Sequence, residues 1–315
     1  MTMRWGILGA AQFAREHMGP AIHAASGHEL AAVARRSGAL GDGWGFAEPR
    51  AVEGYGALLA DDGIDAVYIP LPNSEHVEWA VKAAEAGKHV LVEKPAAMDV
   101  AGIDRLIETR DRTGVMLAEA YMIVHHPQWQ RARELVQGGI LGEIVQIEAF
   151  FSFDNREEPG NIRNRPETGG GALRDIGVYA IGGPRFATGP ELEVERAATR
   201  REHGVDVLSR IAGRLAGASY VAMVSTRAHP RQEVTFHGTS AVLRLPVPFN
   251  ARVFGEPRLV LEKGMETSVG RFPRDEQYVL QVEAFGRATA GEDYACPLEF
   301  SRGTQEVIDR VLEMA

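Results

Sequence analysis

"RWGILGAAQFA" (residues 4–14) decides the fold. An apolar run from Trp5 to Leu8 stops at Gly9, and a helical pattern follows at once. A turn that tight lets backbone N–H groups at a helix start face a pyrophosphate. Gly9 supplies the turn, while Ala11 and Ala14 stand where the fingerprint's other two glycines would be. Small residues at a strand–helix junction also serve packing, so the stretch taken alone leaves both readings open. Its surroundings favour the first.

Outward from this stretch, short apolar runs recur at 30–35, 65–71, 89–94 and 114–121. Helical patterns separate them at 11–25, 52–60, 74–87 and 100–114. In the third of these, Val77, Ala80, Val81 and Ala84 form one apolar face, and Gly87 ends it. This alternation, with short loops, predicts a parallel sheet with helices on both faces. After about residue 145 the rhythm changes to strands at 142–153, 206–215, 218–226, 232–239, 241–247 and 257–264. They are separated by turns, with helices expected only near 172–187, 275–290 and the end. The expected fold class is α/β: a Rossmann dinucleotide-binding domain over 1–121, then an α+β domain over 122–315. The second should carry a large, open-faced, mainly antiparallel sheet for substrate binding and oligomerisation.

Composition sets limits. The 315 residues are 45% hydrophobic and 24% charged, and the net charge of −9 gives no electrostatic case for nucleic acid or an anionic membrane. One cysteine, Cys296, excludes an intrachain disulfide and fits a reducing, cytoplasmic setting. The first residues show no basic stretch before a long apolar core, so no signal peptide is expected. No apolar stretch approaches the roughly 18 residues of a membrane span. No metal site is expected.

Three further stretches carry chemistry. Where the second strand ends, NAD binders place an acid for the ribose hydroxyls; here stand Arg35 and Arg36, which suit a 2′-phosphate. "YIPLPNSEH" (68–76) and "LVEKP" (91–95) end neighbouring strands, so Asn73, His76 and Lys94 fall on the edge where doubly wound sheets bind ligands. Pro95 fixes the turn beside the lysine. "TGGGALRDIGVYA" (168–180) leads three glycines into a helix. Gly169 to Gly171 permit close backbone approach, by a ligand or by the first domain. Asp175 and Tyr179, four apart, are expected on one helix face. The plain alternative is a flexible loop, a helix-start acid and a packed tyrosine.

Together "RWGILGAA", "DAVYIPLPNSEH", "GKHVLVEKP", "EAYMIVHHPQ", "GGGALRDIGVYAI" and "QVEAFGRA" resemble the Gfo/Idh/MocA family, the glucose–fructose oxidoreductase-like dehydrogenases. The nearest branch looks like NADP-dependent D-xylose dehydrogenases and dimeric dihydrodiol dehydrogenases. The resemblance implies a homo-oligomer, a dimer in the first instance, and a small-molecule substrate. It places the cofactor, NADP with NAD possible, against Gly9, Ala10, Ala11, Gln12, Phe13, Arg35 and Arg36. Further cofactor contacts fall on Pro70, Leu71, Asn73, His76, Glu93, Lys94 and Pro95. Substrate contacts fall on Met122, Arg163, Asp175 and Tyr179, and the catalytic set is Lys94, Tyr179 and Asp175. The match has departures: Met122 stands where dihydrodiol enzymes carry tryptophan, and Val124 where many members have arginine. Residues 37–49 are glycine-rich where relatives show a regular helix.

The expected reaction is hydride transfer between nicotinamide and a carbinol carbon, of a pyranose (D-xylose C1, for example) or a cyclic trans-diol. Tyr179 takes or gives the hydroxyl proton beside Lys94, or Lys94 does so itself. Asp175 orients substrate hydroxyls or holds Lys94 charged. Two other classes stay in view: an NAD-dependent glycosidase working by redox elimination, and a non-catalytic NAD(P) sensor, which would need neither Lys94 nor Tyr179.

Overall fold

The computed structural model describes residues 2–37, 40–189, 191–274 and 276–314. In chain order, strands and helices are β1 (Met3–Leu8), α1 (Gly19–Ala24), β2 (His28–Arg35), β3 (Arg50–Glu53), α2 (Tyr55–Leu59), β4 (Ala66–Ile69) and α3 (His76–Glu85). Then come β5 (His89–Glu93), α4 (Val100–Thr113), β6 (Leu117–Ala120), α5 (Pro127–Gln137), β7 (Ile144–Asp154) and α6 (Val178–Thr188). Strands β8 (Leu192–Glu202), β9 (Val205–Leu215), β10 (Ala218–Ser225), β11 (Arg227–Gly238), β12 (Val242–Leu245), β13 (Arg258–Lys263) and β14 (Glu266–Arg271) follow. Helices α7 (Gln277–Thr289) and α8 (Leu298–Glu313) end the chain.

The first compact unit is Met1–Met122 with Glu276–Arg302. Its six strands run parallel in the order β3-β2-β1-β4-β5-β6. Alternate strand residues feed two cores. Val67, Ile69, Val90 and Val92 face one side with Leu58, Ile103 and Leu106. Ala66, Tyr68 and Leu91 face the other with Trp5, Ile22, Val282 and Phe285. Apolar residues on both faces are what a sheet covered on both sides requires. Helix α4 starts where the Asp99 carboxylate accepts from Gly102 N–H at 2.8 Å, and ends at Gly114 with φ +71°.

Two details differ from expectation here. Val52 and Glu53 lie in β3 rather than in a helix, because the short α2 begins only after Gly54, at φ +84°. The expected single division at 121/122 also differs from the contact units: residues 276–302 return to the first unit. Val282 and Phe285 of α7 pack with Trp5, the Phe285 and Trp5 rings 5.2 Å apart. Of the glycine-rich segment 37–49, Gly38 and Ala39 lie outside the described residues, and the stretch from Leu40 to Pro49 forms no helix.

The second unit is Ile123–Asp275 with Gly303–Ala315. Its eight-stranded sheet has the order β14-β13-β12-β11-β7-β10-β9-β8. Every pairing is antiparallel except β10 with β7. One face of the sheet buries Ile147, Ala149 and Phe151 of β7, Tyr220 and Val224 of β10 and Val234 and Phe236 of β11. Helix α6 covers that face, with the Tyr220 hydroxyl donating to Ala180 O at 2.8 Å. Gly183 of α6 lets Trp129 of α5 lie against it, since a Cβ there would come within 2.6 Å of the indole.

Candidate functional site

In the first unit the sheet order reverses between β1 and β4, and ligands of doubly wound sheets bind outside the carboxyl ends of the strands at such a switch point. Gly9 leaves β1 with φ +108°, its N–H donating to Ala34 O at 2.9 Å. A Cβ at Gly9 would sit 2.9 Å from Leu71 Cδ2. That contact joins two expected site residues, and the φ of +108° is what favours glycine at this position. Ala10 and Gln12 are exposed, Ala11 is half-buried, and Arg15 N–H donates back to Ala11 O at 3.1 Å as the helix opens. Phe13 is 36% exposed, its ring 5.0 Å from His17 and 5.5 Å from Tyr278 of α7.

Arg35 and Arg36 end β2 beside this turn. Arg36 lies 5.8 Å over the Tyr55 ring and 3.4 Å from Glu75. Arg35 Nε is buried without a hydrogen-bond partner among the described residues. Pro70 and Asn73 lie in the turn after β4.

His76 differs from the expectation of a cofactor contact. It is 0% exposed, with Nδ1 2.8 Å from Pro95 O and Nε2 2.7 Å from Leu71 O. The imidazole lies between carbonyls of the loop after β4 and the loop after β5, and in its neutral form donates to one of them. Burial pushes its pKa down and the Lys94 charge adds to this, while the two carbonyls oppose it.

The loop carrying Lys94 is held by two carboxylates. Glu93 accepts from the Tyr68 hydroxyl at 2.5 Å and from Lys94 N–H at 3.1 Å. Glu119 of β6 accepts from Ala96 N–H at 2.8 Å and from the Ser301 hydroxyl at 2.7 Å. Burial pushes both carboxyls up, and the Lys94 charge opposes this at each. The Lys94–Pro95 peptide is cis. Sequence reasoning missed Tyr55, Tyr68, Glu75 and Glu119. Glu119 did leave a signal: it is an acid inside the apolar run 114–121.

In the second unit, Asp175 and Tyr179 lie at the start of the α6 segment. A π-helical turn, Leu173–Gly177, carries Asp175 and leads directly into α6, which carries Tyr179. Asp175 accepts from Arg163 Nε at 2.7 Å. Tyr179 packs its ring 5.9 Å from Phe151 and 5.7 Å from Phe249. The glycines serve this unit's own loop. Gly170 N–H donates to Arg165 O and Gly171 N–H to Arg163 O, each at 3.0 Å. A Cβ on Gly170 would meet Arg163 O, and one on Gly171 would overlap Asp206 Oδ1. Within this unit the backbone of 163–165 and Asp206, a residue missed from sequence, come close to Gly170 and Gly171. That backbone delivers Arg163 to Asp175. Met122, an expected substrate contact, is 3% exposed where the chain turns directly after β6, so its side chain is enclosed. Among the described residues no cluster of His, Cys, Asp and Glu could hold a metal ion.

Comparison with known proteins agrees with this architecture. Residues 3–121 match the model of the oxidoreductase family with an NAD-binding Rossmann fold, and residues 129–244 match the GFO/IDH/MocA C-terminal domain. An uncharacterized oxidoreductase of Rhizobium meliloti is 39% identical over 99% of this chain and 97% of its own. A D-xylose 1-dehydrogenase (NADP(+)) of Haloferax volcanii is 34% identical, again covering 99% of this chain and 97% of its own. Among solved structures, a 3-ketoreductase from Actinomadura kijaniata in complex with NADP and TDP-benzene superposes with a TM-score of 0.90 at 30% identity, over 100% of this chain and 98% of that one. With both domain models matched in order and relatives this similar along their whole length, the chain belongs to the GFO/IDH/MocA family of oxidoreductases.

Proposed function

We propose that the protein is an NADP-preferring dehydrogenase or reductase acting at a carbinol or carbonyl carbon of a sugar. The observation that carries this reading is the held loop at the carboxyl end of β5, where the Lys94 and Ala96 amides are fixed by Glu93 and Glu119 on the ligand edge of the sheet. The cofactor fits residues on that edge. The turn at Gly9 would face a pyrophosphate with backbone N–H groups, and Arg35 Nε and the exposed Arg36 offer guanidinium donors for a 2′-phosphate. When bound, the nicotinamide supplies or accepts the hydride.

The chain's own groups handle the proton and the orientation. The Lys94 ammonium donates to the reacting oxygen and favours negative charge there. Tyr179 gives or takes the hydroxyl proton. Asp175 orients substrate hydroxyls, while Arg163 compensates its charge at 2.7 Å. Similarity to the Haloferax xylose dehydrogenase and to the Actinomadura ketoreductase supports a sugar in either free or nucleotide-linked form.

We further infer a homodimer located in the cytoplasm, the latter supported by the single buried Cys296. No helix among the described residues is long and apolar enough to cross a membrane.

A panel of aldoses, cyclic diols and TDP-sugars, with NADP(H) or NAD(H), tests the reading through absorbance of the reduced cofactor. Turnover of at least one sugar is expected, and Tyr179→Phe should lower it about 10²–10⁴-fold with cofactor affinity nearly intact. Near wild-type turnover in Tyr179→Phe would remove Tyr179 from the proton step. Tightly retained dinucleotide with glycoside cleavage and no net redox would replace the reading by the glycosidase one.

A further inference from the structure

Arg36 does not stand alone at the end of β2. Its guanidinium lies 5.8 Å over the Tyr55 ring, and Tyr55 stands edge-on to Trp79 at 4.9 Å. The Tyr55 hydroxyl is 3.6 Å from where a Cβ of Gly9 would be. The end of β2, the start of α2 and the glycine turn therefore meet at one spot. Into it the turn after β4 brings Glu75, with Oε1 3.4 Å from Arg36 Nη2 and Oε2 3.5 Å from Nη1.

We propose that Glu75 sets how strongly the protein prefers NADP(H) over NAD(H), by competing with the 2′-phosphate for Arg36. The proposal rests on the NADP-preferring reading above and names the residue that tunes it. The Arg36–Glu75 contact is two-pronged but long, and the arginine side chain is 65% exposed. Ion pairs of this kind are weak and screened by water. A phosphomonoester carries close to two negative charges and binds a guanidinium with short parallel hydrogen bonds, so it displaces the carboxylate.

Displacement still has a cost, in two parts. Glu75 must release Arg36, and the released carboxylate is left beside the incoming phosphate. NAD(H) meets neither part, because its ribose offers a neutral 2′-hydroxyl that a carboxylate can accept from. NAD binders use an acid at the end of the second strand for that contact. Here the acid comes instead from the segment after β4, next to the arginine that serves the phosphate. One spot thus holds a cation suited to NADP(H) and an acid suited to NAD(H).

The test is a double-mutant cycle on the full chain, with Glu75→Gln, Arg36→Met and the two combined. Dissociation constants for NADPH and NADH are read from nicotinamide fluorescence at low and high salt. Glu75→Gln should tighten NADPH roughly 1.5- to fivefold and leave NADH unchanged or weaker. The gain should shrink at high salt and be smaller on the Arg36→Met background, where only the repulsion between carboxylate and phosphate remains. No gain for NADPH, an equal gain for both cofactors, or a gain undiminished by Arg36→Met would each overturn the proposal. If the wild type binds NADH as tightly as NADPH and Arg36→Met alters neither, the NADP reading fails. The proposal falls with it, but that result is separable from a wild type that prefers NADPH without any coupling to Glu75.

Discussion

Glu119 shows how one residue links folding to the candidate site. Its carboxylate is buried under β6, where it receives one backbone N–H from the lysine loop and one hydroxyl from Ser301 of α8. Burial pushes its pKa above the ordinary carboxyl value, opposed by those two hydrogen bonds and by the Lys94 charge. A raised folded-state pKa means the folded protein holds this proton more tightly than the unfolded chain does. The contribution is therefore fully present below the ordinary glutamate value and is lost as pH rises through the raised folded value. Glu119→Gln, which keeps an acceptor for Ala96 N–H and a donor that the Ser301 oxygen can accept, should remove that loss. Melting temperatures taken from pH 4.5 upward are expected to fall less with pH in the variant than in the wild type. Parallel curves would show that Glu119 is not ionising in this range. At this scale the sequence is legible where a residue's neighbours in the chain explain it. Lys94 is read from the strand before it and the proline after it. Glu119 is only half legible: an acid among apolar strand residues asks for a partner, but Ser301 lies 182 residues away. His76 was visible as a polar residue at a strand's end, yet the two carbonyls beside it come from separate loops, so its burial between them was not.

At the scale of elements, Gly170 and Gly171 before α6 let this unit's own chain pack closely. Gly171 has φ +122° and stands against the Asp206 carboxylate, which accepts from Leu173 N–H at 2.7 Å and so caps the segment that carries Asp175 and Tyr179. Burial pushes the Asp206 carboxyl up, opposed first by the Leu173 N–H. Alanine at 171 would meet both a backbone conformation worth about 1–3 kcal/mol of strain and an overlap with Asp206. Gly171→Ala should therefore destabilise by at least that amount in a urea melt. Asp206→Ala alone should cost about 1–3 kcal/mol by leaving a buried N–H without its acceptor. Combined, they should cost less than the sum, with a coupling of about 0.5–3 kcal/mol, because the overlap disappears. Strict additivity would show that the two residues do not share this space. The sequence announced a special turn here but not its partner, since Asp206 lies across the sheet. Strands β8 and β14 escaped sequence reading for another reason. Both are edge strands; β8 mixes Glu193, Glu195, Arg196, Arg200 and Arg201 into its apolar positions, and β14 is exposed throughout. Alternation marks a strand only where one face is buried. Helix α5 was passed over because its buried positions, Gln128, Trp129, Ala132 and Val136, include a polar residue and only a thin apolar stripe.

At the scale of the molecule, the sheet of the second unit raises the question of what meets its other face. Helix α6 covers the side with Tyr220 and Ile147; the opposite side carries the residues between them. Strand register places Ala212, Val221 and Glu148 in one row, flanked by Arg196 on β8 and by Thr235 on β11. The next row holds Ala198, Arg210, Met223, Phe150 and Glu233. The middle of this face is apolar, at Val221, Met223, Phe150 and Ala212. Its β8–β9 side carries Arg196 and Arg210, with Arg214 paired to Glu195, and its β7–β11 side carries Glu148 and Glu233, the latter paired to Arg231, whose guanidinium lies 4.2 Å over the Phe150 ring. A twofold axis through the middle would set the arginine side of one copy over the glutamate side of the other, with apolar centre on apolar centre. Such an isologous interface uses every residue twice. The protein should therefore sediment as a dimer at micromolar concentration. Burying one methionine side chain stabilises by roughly 1.5–3 kcal/mol, and two copies contribute, so Met223→Glu should weaken the dimer by at least about two orders of magnitude. Its far-ultraviolet circular dichroism should stay unchanged, because Met223 points away from the buried face. Arg210→Glu should weaken association too, and adding Glu233→Arg should restore part of it if the two sides face each other. A wild type that stays monomeric at these concentrations, or a Met223→Glu variant that dimerises as well as the wild type, would show that the oligomer, if any, forms elsewhere.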